Sequence, residues 1–262
     1  MKRIFASLAL AVTMSACGVS QQQEIQMGQE YSQQINAQLP IVSDPEINRY
    51  INVLGDQIAN LTGRADLPWR FYVVDSREVN AFAVPGGYIY VNRGLIERTT
   101  TMDELAGVLG HEIGHVVRRH SIKQMEKAQG ANVGVTLACI LTNICSSQVA
   151  QAGINIAGGA VFARFSRQDE LEADQEAIVN TTRAGINPTG IVTMFQKLMS
   201  ERRSRPSAVA GWFSTHPLEE DRIAATQATI NQLPAAQRNL TRNTSNYNSF
   251  VARVRSLPAP RR

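Results

Sequence analysis

Apolar residues recur at helical spacing over most of this chain. Continuous runs rich in β-branched and aromatic residues occur chiefly between positions 69 and 91. The first pattern marks helices with one buried face, and the second marks strands. A first helix is predicted from Glu24 to Gln38. A second follows Asp44-Pro45, with Ile47, Tyr50, Ile51, Leu54 and Ile58 on one face. Trp69 to Val74 and Tyr88 to Val91 read as strands, and Pro85-Gly-Gly87 as the turn before the later one. Leu105, Val108, Leu109, Ile113, Val116 and Val117 form the apolar stripe of another helix. Thr101-Met-Asp-Glu104 has the form of a capping box at its start. Arg118, Arg119 and His120 are expected to close its last turn, where positive charge suits the helix dipole. Ser166 with Asp169 predicts a second capping box, opening a helix that runs to about Ala184 and stops before Gly185 and Pro188. A helix from Asn187-Pro188 to about Arg202, a loop over 204–217 and a core helix from Pro217 to Leu233 complete the pattern. Residues 234–262 are weakly patterned, with a short helix near Phe250, and there is no internal repeat. The prediction is an α+β fold, mostly α-helical, in a single domain over 24–233 with a small β-sheet.

Candidate chemistry lies at the flank of the Leu105 stripe, in Leu109-Gly-His-Glu-Ile-Gly-His-Val116. On a helix, His111 and His115 share a face with side chains about 6 Å apart. Two imidazoles so placed can direct a nitrogen each at one Zn²⁺. Glu112 then faces the remaining position, where it can take a proton from a water. A catalytic zinc needs three protein ligands. The chain has four histidines, and His120 lies off the His111/His115 face, so a carboxylate third ligand is expected. On the helix opened by Ser166, Glu170 and Asp174 are four apart. The pair fits a ligand, Glu170, and a carboxylate orienting a ligating histidine, Asp174. The same spacing fits a solvated acidic face equally well. Glu172 points elsewhere and reads as a surface residue.

Four segments in order carry a family resemblance: Val79-Asn-Ala-Phe-Ala-Val-Pro-Gly-Gly-Tyr-Ile-Tyr-Val-Asn-Arg-Gly-Leu95, the helix with His111-Glu112 and His115, Ser166-Arg-Gln-Asp-Glu-Leu-Glu-Ala-Asp174, and Ser214-Thr-His-Pro-Leu-Glu-Glu-Asp-Arg-Ile223. With them the chain resembles the gluzincin zinc metallopeptidases of the HtpX, type 1 CAAX prenyl protease and Oma-like family. The resemblance implies a zincin-like domain with its sheet beside the zinc helix and one Zn²⁺ per chain. It also implies Glu170 as third ligand with Asp174 behind it. Asn80, Ala81, Phe82, Ala83 and Val84 become, by analogy, an edge that pairs with an extended substrate, or else one arm of an ordinary hairpin. His216 precedes Pro217, which suits the start of a helix. It hydrogen-bonds an oxyanion, or fills the open zinc position at rest, or is a plain loop residue. Arg222 holds a site carboxylate, steadies developing charge, or makes a surface ion pair. The activity implied is that of a zinc endopeptidase acting on misfolded or unassembled envelope polypeptides. Two alternatives stand beside it: a chaperone-like assembly factor with little turnover, and a module whose zinc only holds the fold.

The ends supply a location. Met1-Lys-Arg, an apolar run from Ile4 to Met14, and Ser15-Ala16-Cys17 form a secretory leader too short for a comfortable membrane span. It resembles a bacterial lipoprotein signal over residues 1–16, which makes Cys17 the lipidated residue. Gly18 after it favours, by that resemblance, the outer over the inner membrane, with the protein in the periplasm; the family resemblance adds the outer-membrane assembly machinery as a candidate partner. Residues 17–23 are expected as a polar tether. Losing Lys2 and Arg3 with the leader reduces a formal net charge of only +4. No basic patch suits nucleic acid. Arg253, Arg255, Arg261 and Arg262 read as a solvated basic terminus. Cys139 and Cys145 are disulfide candidates in an oxidising compartment, or two buried thiols. The Gly- and Ala-rich stretch 130–163 reads as helix and loop packed between the ligand helices, or as a flap. Its polar residues, among them Asn132, Thr136, Asn143 and Gln148, argue against a span.

Overall fold

Local capping starts the fold. The computed structural model describes residues 18–129 and 164–259. The Ser20 hydroxyl accepts from the Gln23 N–H and the Gln23 side chain accepts from the Ser20 N–H, which opens α1 (Gln21–Gln38). Gln21 to Gln23 are therefore helical, and not the tether expected from their polarity. Asp44 accepts from the Glu46 and Ile47 N–H groups at the start of α2 (Pro45–Ala59), and Pro45 occupies a first-turn site where no N–H is needed. Ile47, Ile51, Leu54 and Ile58 of α2 are buried in the main core, where the helix packs on β1 (Arg70–Val74).

β2 (Ala81–Val84) and β3 (Tyr88–Asn92) form an antiparallel hairpin. Its turn needs Gly86 and Gly87, whose φ angles of +81° and +99° place them where a side chain is disfavoured. β3 also pairs in parallel with β1, so the sheet order is β1-β3-β2 and β2 is an edge. Ala81–Val84 is thus a hairpin arm that lies at the edge of the sheet, with Asn80 just before it.

After the short α3 (Arg93–Ile96), α4 (Met102–Val117) runs through the interior, buried from Met102 to Val116. Glycine lets its neighbours approach. A Cβ at Gly107 would lie 2.6 Å from the Ile191 nitrogen, and one at Gly114 2.8 Å from the Ala173 oxygen. That close contact sets α4 against α6 (Arg167–Arg183) and α7 (Thr189–Ser204). Ser166 and Asp169 form the expected capping box on α6. Thr101 is the N-cap of α4, but the box predicted there does not form. Glu104 instead accepts from the Thr100 N–H at 2.7 Å and pairs with Lys197 at 2.6 Å, a charged partner that outcompetes the local one.

Further expectations are corrected. α4 ends at Val117, Arg119 takes a left-handed φ of +58°, and His120 opens α5 (His120–Gln129). The turn is held by Arg119, which donates to the buried Glu24 of α1 at 2.9 Å. Residues 204–217 are not a plain loop: a 3₁₀ turn (Pro206–Val209) leads into α8 (Ala210–Thr215), with His216 as its C-cap. α9 (Glu220–Asn231) starts three residues after Pro217, whose carbonyl accepts from Arg222 at 3.0 Å. Beyond α10 (Ala235–Arg238), α11 (Ser245–Ser256) buries Tyr247, Phe250, Val251 and Val254 in the main core, with Phe250 stacked 4.3 Å from Tyr50. The packed domain therefore extends past Leu233. Arg253 and Arg255 tie α11 down, to Asp44 at 2.8 Å and the Glu97 carbonyl at 3.0 Å, and are not a free basic tail.

The fold is thus mostly helical with one small sheet, as the pattern predicted. Cys17, Cys139, Cys145, Arg261, Arg262, the leader and the stretch 130–163 lie outside the described residues. Among the described residues, no helix is long and apolar enough to cross a membrane.

Candidate active site

The helical spacing of His111 and His115 brings their Nε2 atoms to 3.0 Å of each other. The Gly114–Ala173 contact brings α6 close enough for Glu170 to join them. Its oxygens lie 3.6 Å from His111 Nε2 and 3.4 Å from His115 Nε2. From the end of α8, His216 places Nδ1 3.3 Å from His111 Nε2 and 3.1 Å from Glu170 Oε1. One ligand atom from each of the four lies within 4.8 Å of the others, and together they could hold a metal ion. Three imidazoles and a carboxylate are a donor set that zinc accepts. Glu112 adds an independent sign. It is fully buried, and neither of its oxygens has a hydrogen-bond partner. His216 Nε2 is also unpartnered and stands 3.4 Å from Glu112 Oε1. Buried carboxylates are rarely left unpaired without a functional cause.

Behind the ligands stands a charged network. Asp174 Oδ1 is 2.8 Å from His111 Nδ1. Asp174 also accepts from Arg222 Nε at 2.8 Å, Arg222 Nη2 at 2.7 Å and the Thr226 hydroxyl at 3.1 Å. Arg222 Nη1 is ion-paired with Glu170, and the guanidinium lies over the Phe195 ring. His115 turns its Nδ1 to His120 Nδ1 at 2.9 Å, and His120 Nε2 faces Glu172 Oε2 at 3.3 Å. The Phe165 ring stacks on His115 with centroids 3.9 Å apart, and Trp212 lies 4.6 Å from His216. β2 packs along α4, and its residues are buried with Asn80. The Val79 carbonyl accepts from the Trp212 N–H at 3.1 Å, tying the strand's start to the helix that ends in His216.

Electrostatics separate the two central carboxyls. Burial pushes Glu112 above the ordinary carboxylate range, against His216 and His111. Burial would also raise Glu170, but Arg222 and His216 beside it hold it well below its usual value. Asp174 is lowered in the same way: burial raises it, and Arg222 and His111 more than offset that. Burial drives His115 well below the usual imidazole value, so its neutral form is favoured. For His216 burial acts downward as well, but Glu112 and Glu170 outweigh it and hold the ring above its usual value.

The structure therefore gathers His111, Glu112, His115, Glu170, Asp174, His216 and Arg222 in one place, with Asn80–Val84 at the sheet edge against α4. Sequence reasoning missed His120 and Glu172, read as a helix-end residue and a surface carboxylate. One signal was available: His120 and Glu172 follow the candidate ligands His115 and Glu170 at short intervals. The break at Arg119 that turns His120 inward has no signature in the sequence. The roles of Phe165, Trp212 and Thr226 were likewise not foreseen.

A helix bearing two histidines four residues apart, a carboxylate from the helix packed on it and a sheet edge alongside fit a zincin-like metallopeptidase domain. The chain belongs to Peptidase family M48, whose sequence profile matches residues 45–230. It is 34% identical over 220 residues to the beta-barrel assembly-enhancing protease of Escherichia coli (strain K12), covering 80% of this chain and 44% of that one. It is 35% identical over 172 residues to metalloprotease LoiP of the same strain, covering 65% of this chain and 64% of LoiP. To the mitochondrial metalloendopeptidase OMA1 of Schizosaccharomyces pombe it is 29% identical over 174 residues, or 66% of this chain and 50% of OMA1. The chain thus spans less than half the length of the beta-barrel assembly-enhancing protease it matches.

Proposed function

We propose that this protein is a zinc-dependent endopeptidase of the bacterial cell envelope that hydrolyses misfolded or unassembled envelope proteins. The observation that carries the reading is the buried, unpartnered Glu112 carboxylate beside four converging ligand groups. One zinc per chain, held by His111, His115 and Glu170, would supply a Lewis acid that acidifies a water and polarises the peptide carbonyl. Glu112 takes the proton of the attacking water and passes it to the leaving amine. Burial raises its carboxyl, which favours acceptance of that proton. Asp174 fixes the His111 ring, while Arg222 holds Glu170 and Asp174 together. An extended substrate pairs with the β2 edge over Asn80–Val84. The leader that precedes Cys17, the beta-barrel assembly named for a relative and the family membership support the envelope setting, with a lipid anchor in the outer membrane and the domain in the periplasm.

His216 stands within the ligand group, and the group is closed to solvent. We read it as a resting state in which His216 fills the position that water and substrate need. His216→Ala is expected to raise casein hydrolysis by about 10-fold, as removal of a ligand that favours the closed state requires. A fall in kcat instead would assign His216 to the oxyanion.

The same closure favours a second reading, a metal that only holds the fold, because structural zinc sites have four protein ligands. Glu112 speaks against it, since a purely structural site has no use for a buried carboxylate that makes no hydrogen bond and stands beside the ligand group. Chelation decides. The endopeptidase reading expects about one zinc per chain by elemental analysis, casein hydrolysis abolished by chelator and restored by zinc, and a far-ultraviolet circular dichroism spectrum largely unchanged without metal. A metal that only holds the fold predicts unfolding on chelation. A holdase that binds unfolded outer-membrane chains predicts no casein hydrolysis even when loaded.

A further inference from the structure

We infer that His120, backed by Glu172, is a positioning residue that fixes the tautomer and orientation of His115 for metal binding. The inference rests on the metal reading above. His115 directs Nε2 at the ligand group, 3.4 Å from Glu170 and 3.0 Å from His111 Nε2. A neutral imidazole that ligates through Nε2 carries its proton on Nδ1. That N–H needs an acceptor, and His120 Nδ1 lies 2.9 Å away. Accepting there places the His120 proton on Nε2, which donates to Glu172 Oε2 at 3.3 Å, with Asp169 Oδ1 farther off at 3.7 Å. The other Glu172 oxygen accepts from the Gln168 side chain at 2.9 Å, which holds the carboxylate in place. The donors and acceptors thus run in one consistent direction from the metal position to α6.

The two histidine ligands are therefore braced differently. His111 donates directly to an ionised carboxylate, Asp174, deep in the Arg222 network. His115 donates to a neutral ring whose carboxylate is about a quarter exposed. The backbone makes the second arrangement possible. On an unbroken helix, residues five apart point about 140° away from each other. The left-handed turn at Arg119, uncommon for a residue with a side chain, ends α4 and folds His120 back beneath His115. His120 is fully buried there, with the Phe165 ring 6.1 Å away and stacked on His115 itself.

The test is zinc affinity, measured on the full chain by competition with a chromophoric chelator, together with the visible spectrum of the cobalt-substituted protein. His120→Ala is expected to weaken zinc binding by about 10- to 100-fold and to change the cobalt spectrum. His120→Asn puts an amide oxygen near the place of Nδ1 and is expected to recover most of the affinity. Glu172→Gln, which keeps one acceptor oxygen, is expected to weaken binding by about 10-fold, the low end for such partners. An affinity for His120→Ala equal to wild type, with the same circular dichroism, overturns the proposal. So does a His120→Asn variant as weak as His120→Ala, because the role is then packing and not a hydrogen bond. Should His120→Ala fail to fold, Glu172→Gln decides, and an unchanged affinity in it overturns the proposal. A wild-type chain that takes up no zinc overturns the metal reading and this one with it. Zinc binding by wild type beside an unaffected His120→Ala overturns this one alone.

Discussion

Glu112→Gln is expected to keep its zinc and its fold while casein hydrolysis falls by about 10³-fold or more. General-base catalysis contributes about 10²- to 10⁴-fold, and the amide of Gln cannot accept the proton. The substitution keeps the shape and leaves His111, His115 and Glu170 untouched. It also removes a buried carboxylate with no hydrogen-bond partner. Burying such a charge is unfavourable, and burial already pushes this one upward. The melting temperature of the variant is therefore expected to match or exceed that of wild type. The pairing of lost turnover with retained stability separates a catalytic carboxylate from a structural one. Substantial casein hydrolysis by the variant would defeat the proposed mechanism, and a lowered melting temperature would show that Glu112 has a structural partner.

Arg222→Met should have the largest effect on stability, a loss of about 3–5 kcal/mol in the zinc-free protein at neutral pH. Arg222 is buried between Glu170 and Asp174 and is the guanidinium that pairs with both. Methionine keeps much of the stem packed on Phe195 but leaves two carboxylates buried without their cation. The pH dependence has a definite sign. Both carboxyls are held below their ordinary values, 4.5 for Glu170 and 3.8 for Asp174, in spite of burial. Their contribution is fully present above those ordinary values and is lost as the pH falls through the lowered folded values. In the variant the carboxyls bind protons more readily, so the gap between the proteins is widest near neutrality and narrows in acid. Urea denaturation of both chains at about pH 7 and about pH 4 measures it. A gap that stays constant with pH would show that Arg222 acts through packing. Zinc affinity should fall as well, because Arg222 orients both the ligand Glu170 and the carboxylate behind His111.

The helices that carry a strong local signal were legible in the sequence. Asp44-Pro45 started α2 and Ser166 with Asp169 started α6, because a cap is settled within three residues. Thr101 and Glu104 show the limit: the same spelling gave no box once Lys197, from another helix, offered a charge. α11 leaves only a weak pattern in the sequence because its apolar face is short, and contact with Tyr50 and the core makes it part of the domain. α8 carries no helical periodicity of its own in the sequence, although it is what delivers His216 to the site.

By itself, the sequence determined which residues can bind a metal and move a proton. Four-residue spacing on a helix sets His111 beside His115, and Glu170 beside Asp174, whatever the rest of the chain does. Only the tertiary structure decided that these two pairs meet, that His216 joins them, that Arg222 neutralises the carboxylates, and that His120 and Glu172 stand behind His115. Apart from His115 and His120, which are five residues apart, those contacts join positions 46 to 105 residues apart. They depend on a glycine-lined face between α4 and α6, a left-handed turn at Arg119 and the end of α8, whose outcome is settled by packing and not by local spacing.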